Sequence, residues 1–160
     1  MTAAKRTAAK RNRSPRLDDA VAFRIHRTNR FLRTTLTRML QEHGDGITPE
    51  QFFVLWRLRE EAPRRQVDLA EPVLGDPPNV ARLVDALTRA GLVERRADPT
   101  DRRSWQVHLT PAGDALMTRL EPVVIEERTS LTADLGDTQL DQLIAALDVI
   151  DANLRARLER

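Results

Sequence analysis

The sequence has no cysteine and no tyrosine, and lysine supplies only two of its 26 basic side chains. Without cysteine there is no disulfide framework, no thiolate zinc site and no thiol redox switch. With so little else to titrate in the alkaline range, arginine holds the isoelectric point near 9.9 although the formal net charge is only +2. No apolar run approaches the roughly eighteen residues of a membrane span. The basic N-terminus has no apolar stretch behind it, which argues against a secretory signal. Signatures of catalysis are missing too: there is no glycine-rich phosphate loop, no G-x-S-x-G, no H-E-x-x-H and no paired carboxylates. An enzyme is therefore not expected, nor is a cofactor. His26, His43 and His108 are not spaced as ligands, so no metal is expected, and all three read as ordinary surface or satisfied residues.

What remains is a soluble, charge-covered chain of 160 residues, 41% hydrophobic and 31% charged, which suits one compact domain with or without an appended arm, in the cytoplasm by default. The charge is uneven. Lys5, Arg6, Lys10, Arg11, Arg13 and Arg16 fall in the first sixteen residues with no acid among them, leaving 20 basic against 24 acidic side chains beyond, a net of −4. Residues 1–16 carry the tandem repeat TAAKR-TAAKR and read as a disordered basic arm that could add salt-dependent phosphate contacts. Local clusters, rather than total charge, must point to partners.

From Leu17 the apolar period is helical through Val21, Ile25, Leu32, Leu36 and Met39, ending near His43 with Gly44 in the C′ position. ITPEQFFVLWRLRE starts a second helix with Thr48 as N-cap, Pro49 at N1 and Gln51 closing a capping box. QVDLAEPVLGD predicts a short helix that Pro72 must shorten or kink. DPPNVARLVDALTRAG predicts a helix of about twelve to fourteen residues with Asp76 as N-cap, Val80, Leu83, Val84 and Leu87 inward, and Gly91 at C′. LVERR and SWQVHLT, split by the turn-rich ADPTDR, predict an antiparallel hairpin anchored by Trp105, Val107 and Leu109. Thr110 and Pro111 open a long helix. Asp137 or Thr138 caps the last one, whose Leu140, Leu143, Leu147, Ile150, Leu154 and Leu158 approximate a heptad seam.

This order gives a mainly α fold with a small β-hairpin wing (α+β): a winged helix-turn-helix over 47–110, flanked by helices over 17–43 and 111–160. The helix after the turn must offer polar side chains to a major groove about 12 Å wide. Pro78, Asn79, Ala81 and Arg82 stand there, Asn suited to adenine and Arg to guanine or phosphate. Its N-terminal dipole would help bind phosphate. The flanking stripes suit a two-fold homodimer that sets two such helices about 34 Å apart, or else pack on each other within one chain.

ITPEQFFVL, NVARLVDALTRAGLVERR and DPTDRRSWQVHLTPAG together resemble the MarR family of bacterial transcription regulators, over roughly residues 17–160. The third stretch fits that family's D-x-R-x-x-x-V-x-L-T-x-x-G. The resemblance implies a homodimeric winged-helix repressor on double-stranded DNA, at a pseudo-palindromic operator, released by a small, often aromatic, effector. It implies that Asp101 orients the wing loop and Arg103 enters the minor groove, with Arg102 beside it and Arg95 and Arg96 at the end of the first strand. A narrow minor groove concentrates negative potential and favours arginine. Trp56, Phe23, Phe31 and Phe53 are candidates to line an effector cavity, with His26 and Arg30 as anion partners. Two departures bear on base preference: Ala81 stands where the family has Thr or Ser, and Pro72 with LGDPPN is unusually proline-rich. The alternative reading is a helical protein-interaction module that keeps the winged fold without binding DNA.

Overall fold

The capping box at Thr48 forms as its sequence requires. The Gln51 N–H donates to Thr48 Oγ1 at 3.3 Å and the Thr48 N–H to Gln51 Oε1 at 2.8 Å. Two orphan donors are thereby satisfied, and Pro49 supplies a first turn that needs no N–H. The computed structural model describes residues 16–61, 63–69, 77–101 and 104–158. In chain order these form α1 (Val21–His43), α2 (Pro49–Glu60), β1 (Arg64–Arg65), a 3-10 turn (Gln66–Leu69), α3 (Pro77–Arg89), β2 (Val93–Ala97), β3 (Trp105–Leu109), α4 (Pro111–Leu131) and α5 (Asp137–Leu158). The expected N-cap Asp76, Pro72 and all but Arg16 of the basic arm lie outside the described residues.

Residues up to Leu120 form one compact unit and those from Glu121 a second. In the first, Leu40, Val54, Leu55, Leu58, Leu69, Val80, Val84, Leu87 and Val107 are wholly buried. They come from α1, α2, the 3-10 turn, α3 and the sheet. α3 ends in a Schellman motif: the Leu92 N–H donates to the Leu87 carbonyl and the Gly91 N–H to that of Thr88, both at 3.0 Å, with Gly91 at φ +71°.

Several expectations are corrected. The first helix is not continuous from Leu17: a 3-10 turn over Leu17–Asp19 is separated from α1 by extended Ala20. Gly44 closes α1 at φ −103°, and the left-handed conformation falls on Asp45 (φ 53°) and Gly46 (φ 81°). Gly44 is instead required for space, since a Cβ there would lie 2.8 Å from the Leu40 carbonyl oxygen. The hairpin is part of a three-stranded sheet of order β1-β3-β2, because Arg64 and Arg65 pair with Val107 and Gln106. In the described part of QVDLAEPVLGD the backbone makes only the 3-10 turn. Trp105 is 53% exposed and does not anchor the hairpin; buried Val107 does. At the start of α5, Gly136 precedes the helix and Asp137 is its first residue, with the Gly136 N–H bonded to Gln139 Oε1.

α5 buries none of its residues, and Leu143, Leu147 and Leu154 are exposed. α1 likewise buries only Met39 and Leu40, leaving Val21, Phe31 and Leu32 in solvent. Within α4, Pro122 removes the N–H that would donate to the Thr118 carbonyl, two residues past the boundary between the units.

Candidate nucleic-acid interface

α3 is amphipathic in the way a groove-reading helix needs. Val80, Val84 and Leu87 are buried while Pro78 and Arg82 are exposed and Asn79 is half-buried. Leu83, expected inward, is only partly covered.

Arg95 fastens this helix from the side. Its Nη1 reaches Asp85 Oδ1 at 2.5 Å, its Nη2 the Ala81 carbonyl at 3.5 Å and its Nε the Gln66 Oε1 at 2.9 Å. One guanidinium from β2 thus joins α3 and the 3-10 turn, with three of its donors engaged inside the fold. Arg96, on the opposite face of β2, is exposed and pairs with Glu94. Of the two neighbouring arginines, only Arg96 stands on the surface.

The loop between β2 and β3 is organised by a residue that sequence reasoning did not single out. Asp98 is 5% exposed. It accepts hydrogen bonds from the Thr100 hydroxyl (2.6 Å), the Thr100 N–H (2.8 Å), the Asp101 N–H (3.3 Å) and Gln106 Nε2 (3.4 Å). The Thr100 hydroxyl and N–H, which both favour the ionised form, hold its carboxyl below the ordinary value. The Asp-Pro-Thr order was the available signal, since an aspartate two residues ahead of a threonine favours a turn of this kind. Asp101 accepts from the Ser104 hydroxyl at 2.6 Å while its carbonyl takes the Ser104 N–H at 2.9 Å. Both aspartates therefore shape the loop that carries Arg102 and Arg103, which themselves lie outside the described residues.

The base of the wing is locked to the start of α4. Thr110 Oγ1 donates to the Gly91 carbonyl at 2.6 Å and accepts the Gly113 N–H at 3.1 Å, and the Thr110 N–H donates to the Leu92 carbonyl. A Cβ on Gly113 would stand 2.1 Å from the Leu92 carbonyl oxygen, so no side chain fits. The L-T-P-x-G run is thus a joint between the end of α3 and the start of α4.

His108 differs from its expected ordinary state. Its Nε2 is buried with no hydrogen-bond partner among the described residues. Burial, reinforced by the nearby Arg96 charge and opposed by Glu94, pushes its imidazole below the usual histidine value.

The candidate effector residues are not brought together as a set. His26 and Arg30 line an open groove of about 500 Å³ along α1, with Arg38 and with Arg33, whose guanidinium is paired with Glu50 at 2.7 Å. Trp56 is not part of it. Its Nε1–H donates to Glu60 Oε1 at 2.9 Å and its ring packs 5.5 Å from Phe52.

The sequence pattern of the MarR family matches residues 47–105, from the residue before the capping box to the first residue of β3. The HTH-type transcriptional regulator YkoM of Bacillus subtilis is 31% identical over 107 residues, which cover 67% of this chain and 68% of that protein. The chain belongs to the MarR family. A second relative, from Thauera aromatica and named as a transcriptional regulatory protein for the hcr operon, is 30% identical over 103 residues, 64% of this chain. The chain spans 62% of that relative's length. Among solved structures, the transcriptional repressor CouR, bound to a 23-mer DNA duplex, superposes with a TM-score of 0.73 and 30% identity, covering 84% of this chain and 94% of that one. The relatives that the chain matches are named as transcriptional regulators and not as enzymes. Among the described residues no helix is long and apolar enough to cross a membrane.

Proposed function

We propose that this MarR-family regulator is a cytoplasmic, homodimeric repressor that binds a pseudo-palindromic DNA site and is released by a small anionic effector. The observation that carries the DNA reading is the mounting of α3: buried valines and a leucine hold it from behind, Arg95 holds it from the side, and Arg82 stays exposed. In this reading Pro78, Asn79 and Arg82 enter the major groove. Arg96 and the wing loop, with Asp101 shaping it and Arg102 and Arg103 carrying charge, follow the neighbouring minor groove. Arg95 acts as the brace rather than as a contact. The likeness to a DNA-bound repressor at 30% identity supports the same reading.

The test is an electrophoretic shift with the duplex upstream of the chain's own gene. Arg82→Ala is expected to cost about 1–3 kcal/mol and to relax specificity at one base pair. No shift at near-physiological salt, with a folded protein, would sink the reading in favour of a protein-interaction module. The groove on α1, lined by His26, Arg30, Arg33 and Arg38, supports an acidic effector held by Arg30 and Arg38, Arg33 being paired with Glu50 at 2.7 Å. Small aromatic acids added to the same assay are expected to release the duplex and, through binding to the folded state, to raise the melting temperature. Arg30→Ala should abolish both effects, and their persistence in that variant would place the effector elsewhere.

A further inference from the structure

Trp105 is the unexplained residue of the wing. In an antiparallel pair, directly opposed residues share a face. The register Val93↔Leu109, Arg95↔Val107, Ala97↔Trp105 therefore puts Trp105 on the same face as buried Val93 and Val107 and as Arg95. That face looks toward α3, because Arg95 on it reaches Asp85 and the Ala81 carbonyl. One pair further toward the tip, about 7 Å on, the core has ended. Val107 is wholly buried and Trp105 is 53% exposed. Its cross-strand partner is Ala97, itself exposed and too small to cover an indole. The chain's other tryptophan gives its Nε1–H to Glu60. The Trp105 Nε1–H has no acceptor among the described residues.

A half-exposed indole with a free donor has an apolar body and a polar tip. With α3 in a major groove and the wing in the adjacent minor groove, the surface between them is crossed by one sugar–phosphate strand. That strand offers an apolar deoxyribose face beside an anionic acceptor, matching the two parts of the indole. We infer that Trp105 packs on the sugar–phosphate backbone between the two grooves and donates its Nε1–H to a phosphate. This rests on the DNA-binding reading above and adds a contact to it. Because it meets only backbone, the contact sets register and affinity and reads no base.

The absence of tyrosine makes the test direct, since Trp56 and Trp105 are the only strong emitters. The full-length chain is mixed at low salt with a fluorescein-labelled, mixed-sequence duplex of about 30 base pairs, enough for two half-sites a helical turn apart. Binding is followed by anisotropy of the label, and exposure of the indoles by acrylamide quenching in parallel samples with unlabelled duplex. Saturating duplex is expected to roughly halve the quenching constant of the unmodified protein. It should leave that of Trp105→Phe, where only Trp56 emits, unchanged. Trp105→Ala should weaken binding about tenfold, equally for A·T-rich and G·C-rich duplexes, as expected for losing a hydrogen bond to a charged group and its apolar contact. Anisotropy that rises with no change in quenching overturns the Trp105 contact and leaves DNA binding standing. Anisotropy that never rises overturns both. Quenching that falls with protein concentration before duplex is added assigns the indole to a second copy of the chain and also overturns the proposal.

Discussion

His108 gives the residue scale its clearest consequence. Its Nε2 is buried without a partner among the described residues, and burial holds its imidazole below the ordinary value of 6.5. Between those two values the unfolded chain binds a proton that the folded chain does not, so stability contributed by neutral His108 is present above pH 6.5 and is lost as pH falls through the depressed folded value. The melting temperature of His108→Gln is expected to decline less than that of the unmodified protein as pH is lowered from about 7 to about 5. His26 and His43 remain in both proteins, so the difference isolates one site, and parallel declines would refute it. Asp98 has the same sign in another window. Its carboxyl lies below the ordinary 3.8, so the order it gives the wing loop persists above that value and is lost in stronger acid. The two effects begin at different points on the pH axis, below 6.5 for His108 and below 3.8 for Asp98.

At the scale of elements, Arg95 and Arg96 make a controlled comparison, because adjacent residues on a strand face opposite ways. Arg95→Ala removes the tie between β2 and α3 and is expected to cost about 1–2 kcal/mol of stability, as for a hydrogen-bonded charged group that is mostly covered. It should weaken duplex binding without altering the slope of log K against log salt. Arg96→Ala should leave stability nearly unchanged and reduce that slope by about 0.9, the loss of one phosphate contact. A reduced slope for Arg95→Ala would return it to the list of phosphate contacts. The same elements show what the sequence could disclose. The Thr48 box and the Gly91 C′ position were legible because each is closed by residues three to five apart. β1 was not, since two arginines carry no period and their strand identity comes from partners more than forty residues away. Trp105 was assigned to the right face and the wrong depth: alternation fixes which way a side chain points, while the extent of the core beneath it depends on α3. Arg95 was legible as a cation and not as a brace, because Asp85 and Gln66 meet it only through the fold.

For the whole molecule, the unanswered surface is apolar. α5 buries nothing, and Leu143, Leu147 and Leu154 stand exposed at helical spacing, as do Val21 and Leu32 on α1. Stripes of this length are a cost in water that a second copy would remove. Sedimentation velocity is expected to give a dimer at micromolar concentration, and Leu147→Asp to shift it to monomer while leaving the helical circular dichroism intact. A monomer for the unmodified chain would refute the homodimer. The family pattern over residues 47–105 covers the lobe alone. The resemblance was therefore strongest where buried geometry constrains residue choice, at the capping box and the Gly91 turn, and weakest along the flanking helices.

The Arg95 brace also fixes a length. With one guanidinium clamped between β2, α3 and the 3-10 turn, and the Thr110–Gly113 joint closing the opposite end, α3 and the wing are held as the two jaws of a caliper. For a protein that binds DNA as proposed, that opening is set before any duplex arrives. A duplex whose major and minor grooves lie at another separation must be bent to fit or be refused, so bendability and groove width would be selected at base pairs that no side chain touches.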